Sequence, residues 1–190
     1  MWRFLRPDAT AVLNDKMARK SLARYFAVMQ DEKSAKFVIA KKVPAEFSED
    51  DSMQELWRKH IQLTQEFYEI EKEIDKREKR LQEMPAPEKS YLDLKNEIAK
   101  RILTSCHFCT RKCSINRVEG KLGYCRCGTE ITVSSIFEHM GEEPELVPSG
   151  TVFTMGCTMQ CKHCQNWTIS QWIDKGKAYK PRGLAEEIER

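Results

Sequence analysis

Cys157, Cys161 and Cys164 stand in the run Cys-Thr-Met-Gln-Cys-Lys-His-Cys, separated by three and then two residues. Three thiolates at such short spacing can hold three corners of a cubic iron–sulfur cluster and leave the fourth iron open. An open metal position is where chemistry happens, as it distinguishes catalytic from structural zinc. The apolar run Thr151-Val-Phe-Thr-Met155 leads directly into these thiols.

A second set precedes the first. Cys106-x2-Cys109-x3-Cys113 is followed by Cys125 and Cys127, with Gly120, Gly123 and Gly128 as turn signals. Four thiols are enough to close a tetrahedral site, and the C-x2-C pair resembles a zinc knuckle. The C-x2-C-x3-C run suits an auxiliary iron–sulfur cluster equally well. The expected ligands are Cys106, Cys109, Cys113 and Cys125, for zinc or for a cluster, with Cys127 as the spare. Arg111, Lys112, Arg117, Lys121 and Arg126 lie among these thiols. They read either as a basic nucleic-acid face or as solvated loop residues offsetting thiolate charge. The second is expected.

All eight cysteines of the 190-residue chain lie between Cys106 and Cys164. Secreted disulfide scaffolds spread their cysteines; clustered short spacings in a cytosolic chain mean metal or catalysis. Met1-Trp-Arg-Phe-Leu-Arg-Pro7 has no apolar core behind it, so no targeting signal is expected. No stretch of about 18 apolar residues occurs. The net charge of +3 is too slight to argue for nucleic acid or an anionic membrane. A cytoplasmic location is expected.

The elements that must position the thiols divide the chain into four parts. Residues 1–47 read as a helical arm, with Asp8 and Thr10 as N-cap candidates and Phe37-Val-Ile-Ala40 as a possible strand. Residues 48–104 read as a helical hairpin. Its first helix runs from a cap at Asp51 or Ser52 to Pro85, with Met53, Leu56, His60, Leu63, Phe67, Ile70, Ile74, Arg77, Leu81 and Met84 on a heptad seam. The second starts at a Ser90–Asp93 capping pair and carries Tyr91, Leu94, Ile98 and Ile102 on one stripe. An oligomerising or partner-docking coiled coil is the alternative; an adjacent helix is the nearer partner for the seam. His60 is expected to be a tolerated polar seam residue rather than a ligand. Residues 105–148 form the cysteine-rich metal module, ending in a strand over Glu130–Phe137. Residues 149–190 give strand, ligand loop and helix, the βα unit of an α/β barrel whose chemistry sits in loops at the C-terminal ends of strands. The predicted fold class is α+β: helical N-terminal region, metal module, then the start of a TIM-like barrel.

A C-x3-C-x2-C motif at a strand end resembles the radical S-adenosylmethionine (radical SAM) superfamily. The wider pattern of Cys106 to Cys125, Asn116-Arg117, His139-Met-Gly-Glu142-Glu143-Pro144 and Cys164-Gln-Asn166 is similar to proteins related to pyruvate formate-lyase activating enzyme, over roughly residues 100–175. The resemblance implies that Cys157, Cys161 and Cys164 each ligate one iron of a 4Fe–4S cluster. The open iron would chelate the amino and carboxylate groups of S-adenosylmethionine. Reductive cleavage would release methionine and a 5′-deoxyadenosyl radical for hydrogen abstraction. His163 stands where the family usually has an aromatic near the adenine. Implied partners are an electron donor such as ferredoxin or flavodoxin and, for a glycyl-radical-enzyme activase, a protein substrate. The family's barrel needs more βα units, including a glycine-rich segment, than the residues after Cys164 supply. The sequence therefore reads as the N-terminal part of a longer enzyme, a truncated product, or half of a split protein, inactive alone. The competing class is a non-enzymatic zinc or iron–sulfur adaptor that docks a protein partner.

Overall fold

A computed structural model describes residues 2–147, 149–173 and 175–189. In chain order the elements are α1 (Trp2–Leu5), α2 (Pro7–Val12), α3 (Lys16–Ser21), α4 (Ala23–Met29), α5 (Lys36–Ala40), α6 (Met53–Asp75), α7 (Tyr91–Thr104), β1 (Ile131–His139), β2 (Ser149–Thr154), β3 (Lys177–Tyr179) and α8 (Pro181–Ile188). The chain divides into two compact units. One comprises residues 22–101, the other residues 1–21 with 102–190. No helix among the described residues is long and apolar enough to cross a membrane.

In the unit of residues 22–101, α6 starts where the Ser52 hydroxyl accepts from the amide of Glu55 at 3.2 Å. Asp51, the other cap candidate, instead pairs with Lys59 at 2.6 Å. At the start of α7 the capping pair is reciprocal. The Ser90 amide donates to Asp93 Oδ2 at 2.8 Å and the Asp93 amide donates to Ser90 Oγ at 3.3 Å. Such a cap contributes about 1 kcal/mol. The predicted seam buries Leu56, Leu63 and Phe67 on α6 and Tyr91, Leu94 and Ile98 on α7. The Phe67 and Tyr91 rings meet at 5.9 Å. Arg24 on α4 pairs with Glu71 at 2.9 Å and with Asp75 at 2.5 Å on α6.

Three expectations are corrected here. α6 ends at Asp75, not at Pro85. Arg77 takes a left-handed φ of 62°, the Glu78 amide donates to the Glu73 carbonyl at 2.9 Å, and the Arg77 amide donates to that of Ile74 at 3.0 Å. This is a Schellman stop, which satisfies the last carbonyls without a glycine. Leu81 and Met84 are still buried, but by the chain turning back and not by a continued helix. Phe37–Ala40 is helix α5 and not a strand; helical spacing buries Ile39 and Ala40 while Phe37 stays exposed. Neither Asp8 nor Thr10 caps a helix: α2 begins at Pro7 with Arg6 before it and no side-chain cap. The fixed φ of proline suits a first helical position.

In the other unit, the sheet has the order β2-β1-β3, and both pairs are antiparallel. Register runs from Val133 opposite Thr154 to His139 opposite Ser149, with a bulge between Val133 and Ser135. Phe137 and Phe153 stack across the pair at 5.5 Å. The Met155 amide donates to the Thr132 carbonyl at 2.8 Å, carrying the pairing one residue past β2 and fixing where the cysteine loop departs. The expected strand into that loop is present. The helix expected after the loop and its basic linker is present as α8, with a short third strand before it. One π-helical turn, Thr168–Trp172, is stopped by Ile173 at φ 57°. β3 then returns to β1, and α8 follows with Pro181 in its first turn. Every strand pair among the described residues is antiparallel.

Candidate metal centre

The first cysteine module is closed by its own backbone. The Cys106 amide donates to the Ile115 carbonyl and the Ser114 amide to the Cys106 carbonyl, both at 2.9 Å. Lys112 and Ser114 turn the chain with φ of 43° and 51°, and the Lys112 amide donates to the Cys109 carbonyl at 3.1 Å. Cys106 and Cys125 are buried; Cys109 and Cys113 are half-buried.

Arg117 corrects one expectation. It is not a solvated loop residue: it is 6 % exposed. Its guanidinium donates to Cys125 Sγ at 3.3 Å and to the Cys127 carbonyl. A Cβ added at Gly123 would lie 2.8 Å from Arg117 Nη2 and 3.4 Å from Cys113 Sγ, so the guanidinium reaches among the thiols of this module. Burial alone would lower the Arg117 pKa, but hydrogen bonds to Cys106 and Cys125 outweigh it and raise it. Burial likewise opposes ionisation of Cys125. The Cys127 amide, the Arg117 guanidinium and the Cys127 thiol reverse that, and the Cys125 pKa is lowered. Buried charge of this kind persists only when paired and hydrogen-bonded.

The Cys157 loop rests on the first module. Gly156 has φ +90°, and a Cβ there would meet both the Cys125 carbonyl and Cys127 Sγ at 2.5 Å. Only glycine permits that conformation together with that approach. The Gly156 amide donates to the Ile169 carbonyl at 2.9 Å. Gln160 Nε2 donates to the Tyr124 carbonyl at 2.8 Å, and Arg111 Nε to the Thr158 carbonyl at 3.3 Å. Arg111 also lies 3.9 Å over the Tyr124 ring. Arg126 donates to the Gln171 carbonyl at 2.9 Å. Arg111 and Arg126 are thus engaged by backbone carbonyls of the second loop.

Within the loop, Cys157 Sγ accepts from the Met159 amide at 3.3 Å. Backbone donors at Gln160 and then Met159 lower the Cys157 pKa against burial. Gln160 is left-handed at φ 52°, which turns these amides toward the sulfur. Cys164 Sγ lies 3.5 Å from the buried Ser170 hydroxyl, and Gln171 Nε2 donates to the Cys161 carbonyl at 2.9 Å. All three thiols are free and half-buried. His163 is exposed. Cys127 differs. Its thiol donates to the Cys125 and Met155 carbonyls at 3.4 and 3.6 Å. Burial and the Cys125 thiolate push its pKa up to about 11. Among the described residues no three Cys, His, Asp or Glu side chains converge closely enough to hold a metal ion. The fit is therefore one of donor chemistry: three free thiols on one open loop, one already stabilised as thiolate.

Sequence reasoning missed Gln160, Ser170 and Gln171, and it placed Arg117 among solvated cations. The glycine directly before Cys157 was the available signal, since a glycine leaving a strand often marks close backbone approach. The His139-Met-Gly-Glu142 segment also has a partner that the sequence did not reveal. His139 Nδ1 lies 3.0 Å from Glu142 Oε1. Arg6 donates to the carbonyls of Met140 and, at 3.0 Å, Glu142.

Two archaeal proteins of Methanocaldococcus jannaschii are similar to this chain. Uncharacterized protein MJ0674 is 39% identical over 173 residues, covering 88% of this chain and 48% of the relative. Uncharacterized protein MJ0808 is 32% identical over 100 residues, covering 44% of this chain and 29% of the relative. The chain thus spans about half the length, or less, of these curated relatives. No family model matches the chain, and no solved structure matches it significantly.

Proposed function

We propose that the chain carries the cluster-binding part of a radical S-adenosylmethionine iron–sulfur protein of the activating-enzyme type. The observation that carries this reading is the Cys157 loop. Three free thiols in C-x3-C-x2-C spacing leave a strand on a glycine, and peptide amides already favour the Cys157 thiolate. Cys157, Cys161 and Cys164 would hold a 4Fe–4S cluster. Such a cluster supplies the electron that cleaves the sulfonium bond of bound S-adenosylmethionine, yielding a radical for hydrogen abstraction.

The chain's own residues have simpler tasks. The amides of Gln160 and Met159 lower the Cys157 pKa and so favour its thiolate. Gln160, Arg111 and Arg126 hold the loop against the first module. Ser170 and Gln171 brace Cys164 and Cys161. His163, exposed beside Cys164, is the candidate for stacking on adenine. Cys106, Cys109, Cys113 and Cys125 would hold a second metal, zinc or an auxiliary cluster. Their partner Arg117 helps lower the Cys125 pKa, which favours a metal that takes thiolates. A TIM-like barrel, a ferredoxin- or flavodoxin-type donor, a protein substrate of the glycyl-radical type and a cytoplasmic location belong to this proposal.

The test is spectroscopic. The chain is reconstituted anaerobically with iron and sulfide, reduced, and titrated with S-adenosylmethionine. A change in the electron paramagnetic resonance signal supports an open iron at the Cys157 loop. A signal indifferent to S-adenosylmethionine, or a chain that takes up zinc alone, favours the adaptor class instead.

A further inference from the structure

The unit of residues 22–101 contains a cavity of about 320 Å³ at the junction of α5, α6 and α7. This size falls at the lower end of small-molecule sites. Phe37, Phe67 and Tyr68 give it aromatic walls, and no acidic side chain lines it. Its polar groups form one connected set. Thr64 Oγ1 donates to the His60 carbonyl at 2.7 Å, which leaves it to accept from the Tyr91 hydroxyl at 2.7 Å. Lys95 Nζ lies 3.3 Å from His60 Nε2 and 4.4 Å over the Tyr91 ring.

The charges do not balance. Burial and then Lys95 lower the His60 pKa, and His60 Nε2 also lies 3.3 Å from the Tyr91 hydroxyl. Lys36, the other cation on the wall, pairs with Glu71 at 3.4 Å. Lys95 is half-buried and has no carboxylate within ion-pair distance among the described residues. A half-buried ammonium with no carboxylate partner at the edge of an aromatic cavity leaves a place for one anion.

We propose that this cavity binds a small aromatic carboxylate, its ring against Phe37, Phe67 and Tyr68 and its carboxylate on Lys95. A volume of this size accommodates one or two fused rings. The proposal stands apart from the cysteine loops, because every residue it uses lies between 22 and 101.

The test uses the full chain and naphthalene-2-carboxylate as probe, with 2-naphthylmethanol as its neutral counterpart. The readout is the His60 ring proton resonance, assigned by its loss in His60→Gln. The carboxylate is expected to shift that resonance saturably at millimolar concentration or below. The neutral alcohol and the Lys95→Gln variant should each weaken binding roughly tenfold, the scale of one partly screened ion pair. Lys95→Arg keeps the charge and should bind within a few-fold of the parent, which separates loss of charge from loss of fold. No saturable shift, equal affinity for the neutral alcohol, or unchanged affinity in Lys95→Gln overturns the proposal.

Discussion

The sulfur of Cys127 lies against the backbone of Gly156, so close that a Cβ at position 156 would come within 2.5 Å of it. One cysteine module is thereby seated on the loop that carries the other. Cys127 looked superfluous in the sequence because it exceeds the four ligands a metal needs. Its place is structural: a protonated thiol packed under the start of the Cys157 loop.

Gly156→Ala is therefore expected to be strongly destabilising. Overpacking costs about 1–3 kcal/mol, and an alanine at φ +90° adds roughly 1–2 kcal/mol. Gly150→Ala is the control, since a Cβ there meets nothing within 4 Å. Urea unfolding midpoints should separate the two variants clearly. Equal midpoints would mean that the two modules do not meet at Gly156.

Arg117→Gln should cost about 1–3 kcal/mol, the usual penalty for leaving a buried hydrogen-bond acceptor unpaired. Arg117→Lys should restore little, because an ammonium cannot serve both Cys125 Sγ and the Cys127 carbonyl with a planar fork. Thermal melts of the metal-free chain read this directly. A lysine variant as stable as the parent would show that charge alone suffices.

The two thiols at the seam should differ in reactivity. Cys157 is held below its ordinary value of 9.0 by peptide amides, whereas Cys127 is pushed up to about 11. Near pH 8, brief iodoacetamide treatment of the metal-free chain followed by peptide mass spectrometry should label Cys157 well ahead of Cys127. The reverse order would contradict the amide donation at Cys157.

His60 gives a pH dependence with a definite sign. Its folded pKa lies below the ordinary 6.5, so between the two values the unfolded chain binds more protons than the folded one. Stability is then full above pH 6.5, falls as the pH drops below it, and stops falling on this account once His60 protonates in the folded state. His60→Gln should flatten that part of the profile, measured as denaturant midpoint against pH. An unchanged slope would place the titrating group elsewhere.

Much of the scaffold was legible because its signals are local. The Ser52 and Ser90–Asp93 caps, the α6 and α7 stripes and the strand into Cys157 each depend on residues a few positions apart. The end of α6 was not legible, because a Schellman stop at Arg77 uses no glycine and the apolar spacing continues through Leu81 and Met84. Phe37–Ala40 has strand-like residues, but burial of Ile39 and Ala40 with Phe37 exposed fits a helical turn. At the site, cysteine spacing singled out the thiols proposed as donors. It could not identify Arg117 among them, since a buried arginine and a solvated one look alike in a basic loop. Nor could it reveal the hold of Gln160, Arg111 and Arg126 on the second loop, because those contacts span many residues of sequence.

The iron content of the reconstituted chain tests the central claim most directly, with each cysteine of the loop replaced in turn. Cys157→Ala, Cys161→Ala and Cys164→Ala should each lose about four irons per chain relative to the parent, the content of one cubic cluster, and Cys127→Ala should lose none. A Cys157→Ala chain with the parent's iron content, or a colourless parent that binds only zinc, would contradict a cluster at this loop.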